Sequence, residues 1–390
     1  MRSETLNVSQ RFGKPRYVFA LFGCVTFVLG ASACAQSLPD AGLMLAPGLD
    51  VQCTEQSTDK SAYWYGINTC LSGNAFKAEL QRRVRNHRVL PYTENSAAYP
   101  AYFTKSYITL GNIGDPVPMP RFDVWDAYVV FATKGANPHS SGGNCPANKL
   151  LDWYDYRCYD TPSEILSASS GGQQDPGTTD PLAAPEPNFG SEGLYNREHS
   201  WPKDFFEAAS ASHYCQSRPD ITGNSNFYDY RAYTDLHHLI PARKSINQNR
   251  GTCAFGIVNA NDTHFPRNSG AKFGAPNTGA MTGYSFPGGG IPGCSTDKVL
   301  EPPPEVKGDI ARNYFYMATR YYTEDDCWNV NYQFERANLK PWLEALMRQW
   351  HAADPVSPEE RLRNDWIHRI QGNRNPFVDH PEWVDKVDDF

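Results

Sequence analysis

The sequence predicts an α+β fold: a mixed single domain with a helical C-terminal quarter. Three observations predict it. Apolar residues recur at helical spacing after residue 306, the middle of the chain is rich in Gly, Pro, Asn and Tyr, and no internal repeat or clean linker divides it. With 390 residues, 20% of them charged and 13% aromatic, the chain can bury a substantial core and is neither disordered nor a coiled coil.

The elements follow in order. Arg2, Arg11, Lys14 and Arg16 precede an apolar run over 17–31 and the small residues Ala31-Ser32-Ala33-Cys34-Ala35. This pattern reads as a secretory signal peptide over 1–35, leaving 36–390 as a secreted or periplasmic protein with no membrane span after processing. The run is short for a span of roughly 20 residues. Lipid attachment at Cys34 is the weaker reading, because Ala31 stands where a lipobox has Leu. Residues 36–72 are turn-rich. A helix is predicted over 75–86, with Phe76, Leu80 and Val84 four apart. Arg82, Arg83, Arg85 and Arg88 beside it read first as a solvated face and second as a polyanion contact.

A strand is predicted over 123–133 from Val129-Val130-Phe131, and a surface loop over 166–193, which is dense in Ser, Gly, Pro and Asp. The helices come last. Residues 306–322 carry a broad apolar face, and Leu339, Trp342, Leu343, Leu346, Met347 and Trp350 repeat at helical intervals. Ser357-Pro358-Glu359-Glu360 is a capping box with Pro at the first helical position, and Gly372 supplies the stop.

Removing the leader leaves cysteines at 53, 70, 145, 158, 215, 253, 294 and 327, an even number that in an exported chain points to disulfides. The simplest pairing joins sequence neighbours: Cys53–Cys70, Cys145–Cys158, Cys215–Cys253 and Cys294–Cys327. None has zinc-finger spacing. The net charge of −7 becomes more acidic once the basic leader is gone, which argues against nucleic-acid affinity driven by bulk charge and leaves room for a local basic cleft.

Chemistry concentrates in two segments, Arg197-Glu198-His199-Ser200-Trp201-Pro202 and Asp235-Leu236-His237-His238-Leu239-Ile240-Pro241 running on to Asn247. A neutral imidazole suits proton abstraction from water near pH 7. Carboxylate and amide oxygens suit Mg²⁺, which takes few protein ligands and keeps several waters. Glu198, His199 and Asn247 supply those types. Neighbours on a regular strand face opposite sides, so Glu198 and His199 share a site only at a strand end or bulge. Trp201-Pro202 is consistent with the strand stopping there.

These residues resemble the endonuclease I family of exported bacterial non-specific nucleases. The matching stretches are 197–202, 235–241, Asn247 with Arg250, 303–312, and 364–380 with Gln371-Gly372-Asn373-Arg374-Asn375-Pro376. The likeness covers 73–87 and 194–383. It implies a ββα-metal active-site hairpin and helix, with a second strand around 236–241 and a helix starting over 243–250. It implies His199 as general base, Glu198 and Asn247 as protein ligands of one Mg²⁺ (Mn²⁺ or Ca²⁺ being substitutes), and an arginine between the motifs holding the scissile phosphate. Arg218 and Arg231 both lie in that interval, and spacing favours Arg218. The implied enzyme is a monomer that cleaves DNA, and RNA as a second substrate, without sequence preference, leaving 5′-phosphates. Against the family pattern, 134–193 reads as a loop-rich insertion.

Plainer roles attach to the remaining polar residues. His237 and His238 read as structural, Asp235 as a local orienting group, and Arg250 equally as an ion-pair former or a phosphate contact. Tyr314–Tyr322 reads as core. Two other functions compete: a zinc-dependent hydrolase using His199, His237, His238 and a carboxylate, and a non-catalytic secreted module on a nuclease scaffold.

Overall fold

The computed structural model describes residues 53, 63–90, 107–108, 117–118, 124–137, 145, 149–156, 158–160, 195–205, 231–266, 270–288, 293–326 and 328–390. The leader, the loop over 166–193, Arg218, Cys215 and Cys327 lie outside them. All the described residues belong to one compact unit, Gln52–Phe390.

The chain runs α1 (Gly73–Val84), β1 (Tyr107–Ile108), β2 (Val117–Pro118), α2 (Val124–Thr133), β3 (Lys149–Leu151), β4 (Cys158–Asp160) and β5 (Tyr195–His199). It continues through β6 (Leu239–Arg243), α3 (Lys244–Arg250), β7 (Val258–Pro266), β8 (Lys272–Pro276), β9 (Val299–Glu301) and α4 (Lys307–Tyr321). Last come β10 (Phe334–Glu335), β11 (Asn338–Leu339), α5 (Pro341–Ala353), α6 (Pro358–Gln371) and α7 (Pro376–Asp379). The architecture is mixed helix and sheet. Its sheets are small: antiparallel pairs β1–β2, β3–β4, β5–β6 and β10–β11, and a three-stranded β7–β8–β9.

Helix α4 is the hub. The sequence predicts one broad apolar face; in the structure, every residue of Gly308–Tyr321 is buried, Asp309, Arg312 and Arg320 included. Those charges are tolerated because they are paired. Arg312 meets Glu360 at 2.6 Å and Arg320 meets Glu324 at 3.0 Å. α1, α5 and α7 pack around α4. The predicted start and stop of α6 are both present: Ser357 accepts from the Glu360 amide, and Gly372 takes the left-handed conformation (φ 94°) that lets the helix end.

One element differs in kind. Residues 124–133 form helix α2, not a strand. The buried residues Val124, Ala127, Tyr128 and Phe131 fall at helical spacing, and Val130 and Ala132 are buried as well. A helix with so wide an apolar face shows little periodic contrast, and its Val-Val-Phe run carries high β propensity. α2 packs on α6 in a second core cluster with Leu236, Leu239, Trp366, Ile367 and Ile370.

The disulfides also differ. Cys53–Cys70 forms as expected. Cys253, however, joins Cys294 rather than Cys215, so the expected Cys294–Cys327 pair is excluded too. Pairing by sequence proximity overlooked a close approach at the end of α3. Thr252 donates to the Gly293 carbonyl at 3.4 Å, and a Cβ on Gly251 (φ 52°) would lie 2.4 Å from that oxygen. Cys145 and Cys158 lie near one another without the expected bridge between them.

Candidate functional site

Strands β5 and β6 pair in register from Tyr195↔Arg243 to His199↔Leu239, and α3 follows β6 directly. The second strand therefore begins at Leu239, three residues later than expected. The delay is caused by Asp235, whose side chain accepts from the His237 amide at 3.0 Å and whose carbonyl accepts from the His238 and Leu239 amides. This local turn holds His237 and His238 outside the strand.

His199 is the last residue of β5, with Glu198 just before it. The bend at Ser200 is fixed by its amide, which donates to the His238 carbonyl at 3.0 Å. Trp201 then buries completely, stacked on Phe334 at 3.8 Å. His199 thus ends the strand, with Glu198 one residue inside it.

Glu198 is buried. Its Oε1 accepts from Arg250 Nη1 at 2.5 Å and from the Tyr154 hydroxyl at 2.8 Å. Burial pushes its carboxyl above the ordinary carboxylate range, while Arg250 and Tyr154 pull the other way. Arg250 has no exposed side-chain surface. Its guanidinium also donates to the carbonyls of His199, Ser200 and Cys253 and to the hydroxyl of Tyr314. Of its two candidate roles, the structure places it as the ion-pair partner.

His199 faces the other way, toward the chain between the strands. Its Nε2 lies 2.8 Å from the Tyr233 carbonyl. A carbonyl can only accept, so Nε2 carries the proton and Nδ1 keeps a lone pair. Burial, the neighbouring His238, Lys203 and Arg197 hold the imidazole well below its usual pKa, so it is neutral at pH 7. Asn247 lies on α3 one turn before Arg250 and is half-buried. Its carbonyl accepts from the Gly251 amide at 2.8 Å, closing the helix.

The remaining polar residues form the back of the site. Asp235 is fully buried; its Oδ2 accepts from Tyr316 at 2.7 Å and Tyr321 at 2.9 Å, and its Oδ1 from Gln371 at 2.8 Å. Burial works to raise its carboxyl, but the surrounding imidazoles and the Gln371 bond hold it below the ordinary carboxylate range. His237 packs against Tyr316 with ring centres 4.3 Å apart. His238 Nε2 bonds the Ala232 carbonyl at 2.5 Å. Among the described residues no three His, Cys, Asp or Glu side chains gather as a zinc-hydrolase reading requires. Arg231 donates to the Arg85 carbonyl at 3.0 Å. Arg82 pairs with Glu79, Arg83 bonds the Tyr65 carbonyl and Arg88 that of Ile370, so three of the four basic residues around α1 carry structural contacts.

Tyr154 is the residue that motif reasoning missed. It lies in the stretch read as an insertion, yet 152–155 is built into the site. Trp153 donates to the Pro241 carbonyl at 3.0 Å, and Asp155 pairs with Arg243 at 2.9 Å. The available signal was Trp153-Tyr154-Asp155-Tyr156, an aromatic run inside a loop-rich region.

Residues 183–382, half of the chain, match the family model described as Endonuclease I. An extracellular ribonuclease of Bacillus subtilis is 30% identical over 204 residues, 51% of this chain and 56% of that protein. One of Bacillus amyloliquefaciens is 31% identical over 237 residues, 58% of this chain and 67% of that protein. An Endonuclease-1 of Buchnera aphidicola is 30% identical over 145 residues, 37% of this chain and 44% of that protein. The alignments thus span roughly half to two thirds of these relatives. Among the described residues no helix is long and apolar enough to cross a membrane. The chain belongs to the endonuclease I family.

Proposed function

We propose that this protein is an exported, metal-dependent, sequence-non-specific endonuclease that hydrolyses phosphodiester bonds in DNA and also in RNA, acting as a monomer. The observation that carries the proposal is the His199 tautomer. With Nε2–H bound to the Tyr233 carbonyl, Nδ1 of a neutral imidazole is the proton acceptor. A base so arranged takes a proton from water and contributes typically about 10²–10⁴-fold to rate.

The donor set fits a hard divalent cation. Glu198 Oε1 is committed to Arg250 and Tyr154, whereas Oε2 and the half-buried Asn247 amide are oxygen donors of the kind Mg²⁺ takes. Glu198 and Asn247 are therefore assigned as its protein ligands, with Mn²⁺ or Ca²⁺ as substitutes. When bound, such a cation stabilises charge on the departing 3′ oxygen. Arg218 is assigned to the scissile phosphate. Arg231, the other arginine between the motifs, has a guanidinium N–H committed to the α1 terminus. The extracellular relatives favour an exported enzyme, consistent with a signal peptide over 1–35.

The test is incubation of the oxidised protein with plasmid and with RNA, under Mg²⁺, a panel of other cations, or EDTA. Both substrates should be degraded with Mg²⁺ and spared with EDTA, and His199→Ala should lose about 10²–10⁴-fold in turnover while still binding cation. Cleavage indifferent to EDTA, or binding of nucleic acid without cleavage under any metal, would overturn the proposal.

A further inference from the structure

We infer that Tyr154 is a positioning residue that fixes how Glu198 meets its cation and thereby sets cation selectivity. The inference rests on the metal-dependent reading above. Tyr154 lies before the matched family segment, which begins at residue 183. Three observations carry the argument.

The first is direction. Arg250 Nη1 donates to the Tyr154 hydroxyl at 2.8 Å, and that hydroxyl lies 2.8 Å from Glu198 Oε1. A hydroxyl has one proton; since its oxygen accepts from Arg250, the proton goes to the carboxylate. The second is occupancy. Oε1 takes both donors, Tyr154 at 2.8 Å and Arg250 at 2.5 Å, and a cation bound there would lie against the guanidinium charge. Oε2 lies away from these donors' bonds, so Glu198 offers a cation one oxygen in preference to both. Single-oxygen ligation suits Mg²⁺, which demands near-octahedral geometry, whereas Ca²⁺ readily takes bidentate carboxylates.

The third is placement. Tyr154 is held where it is by more than its own packing. The Asp152 carboxylate accepts from the amides of Tyr154 at 2.7 Å and Asp155 at 3.0 Å, which closes a turn. That turn is latched to β6 through Trp153 to Pro241 and Asp155 to Arg243. β6 is the strand paired with the one that carries Glu198. The hydroxyl is therefore held against the carboxylate by the same ladder that builds the site.

Competition against Mn²⁺, read by electron paramagnetic resonance, gives Mg²⁺ and Ca²⁺ affinities without any turnover. Tyr154→Phe removes one of the two donors to Oε1. The ratio of Mg²⁺ to Ca²⁺ affinity should fall about fivefold, the size of one net hydrogen bond. Asp155→Asn, which loosens the latch without touching Glu198, should move the ratio the same way by less. A purely structural tyrosine would lower the melting temperature in EDTA and leave the ratio alone. Wild-type cation binding with a ratio unchanged in both variants would overturn this inference and spare the proposed function. Absence of cation binding by the wild-type protein would overturn both.

Discussion

Arg250→Met tests the electrostatic frame of the site most directly. The substitution keeps an apolar stem over Phe255, on whose ring the guanidinium now sits at 4.0 Å, and removes the positive charge. It leaves Glu198 buried beside the Tyr154 hydroxyl, and the carbonyls of His199, Ser200 and Cys253 without that donor. Removing one partner of a buried ion pair costs about 3–5 kcal/mol, because the remaining charge is uncompensated. For a chain of this size that is a fall in melting temperature of roughly 4–7 °C. The assay is thermal unfolding in EDTA of Arg250→Met, Glu198→Gln and the double variant. Removing the stranded charge should recover part of the loss, with a coupling of roughly 2 kcal/mol between the two sites. A single variant within about 1 kcal/mol of wild type, or a double variant additive within about 0.5 kcal/mol, would refute the reasoning. If Arg250 instead gripped phosphate, KM for DNA would rise and the melting temperature would hold.

The buried histidines make the fold acid-labile. Burial depresses His87 to about 3 and His237 and His238 to about 4, against 6.5 when unfolded, so their contribution is complete above pH 6.5 and is lost as pH falls toward 4. Each adds a slope of about 1.4 kcal/mol per pH unit in that window; urea midpoints unchanged between pH 7 and pH 5 would contradict this. Peptide mapping without reduction should recover Cys253 linked to Cys294. Changing both to Ser should cost about 2–4 kcal/mol in urea unfolding, and a Cys215–Cys253 peptide would sink the assignment.

What the sequence made legible was local. The cap at Ser357, the stop at Gly372 and the periodicity of 339–350 are written within a few residues of where they act, and they placed α5 and α6. The strand end at His199 was legible because Trp201-Pro202 marks it within three residues. What was hidden depends on distant partners. Cys253 finds Cys294 only because α3 ends against Gly293, and Tyr154 reaches Glu198 across 44 positions. In α2 local β propensity yields to burial of a broad helical face, which depends on partners far along the chain. Asp235 was read as an orienting group, but its reach to α4 and α6 is a property of the packed chain.

That reach explains how so slight a hairpin is held in one orientation. Among the described residues β5 and β6 pair only with each other, and a two-stranded hairpin of five-residue strands is marginal in water. Here buried polar groups do the work of missing strands. Arg363 of α6 donates to the carbonyls of Leu236 and Leu239 at 2.7 and 2.8 Å, pinning the turn that precedes β6. Asp235 ties the same turn to Tyr316 and Tyr321 of α4, while Arg250 and Tyr314 hold the carbonyl of Ser200 at the other strand's exit. Each of these bonds is directional, so together they fix the hairpin's orientation as apolar packing would not. The turn pinned in this way buries His237 and His238, which is why the site's rigidity and its sensitivity to acid have one physical origin.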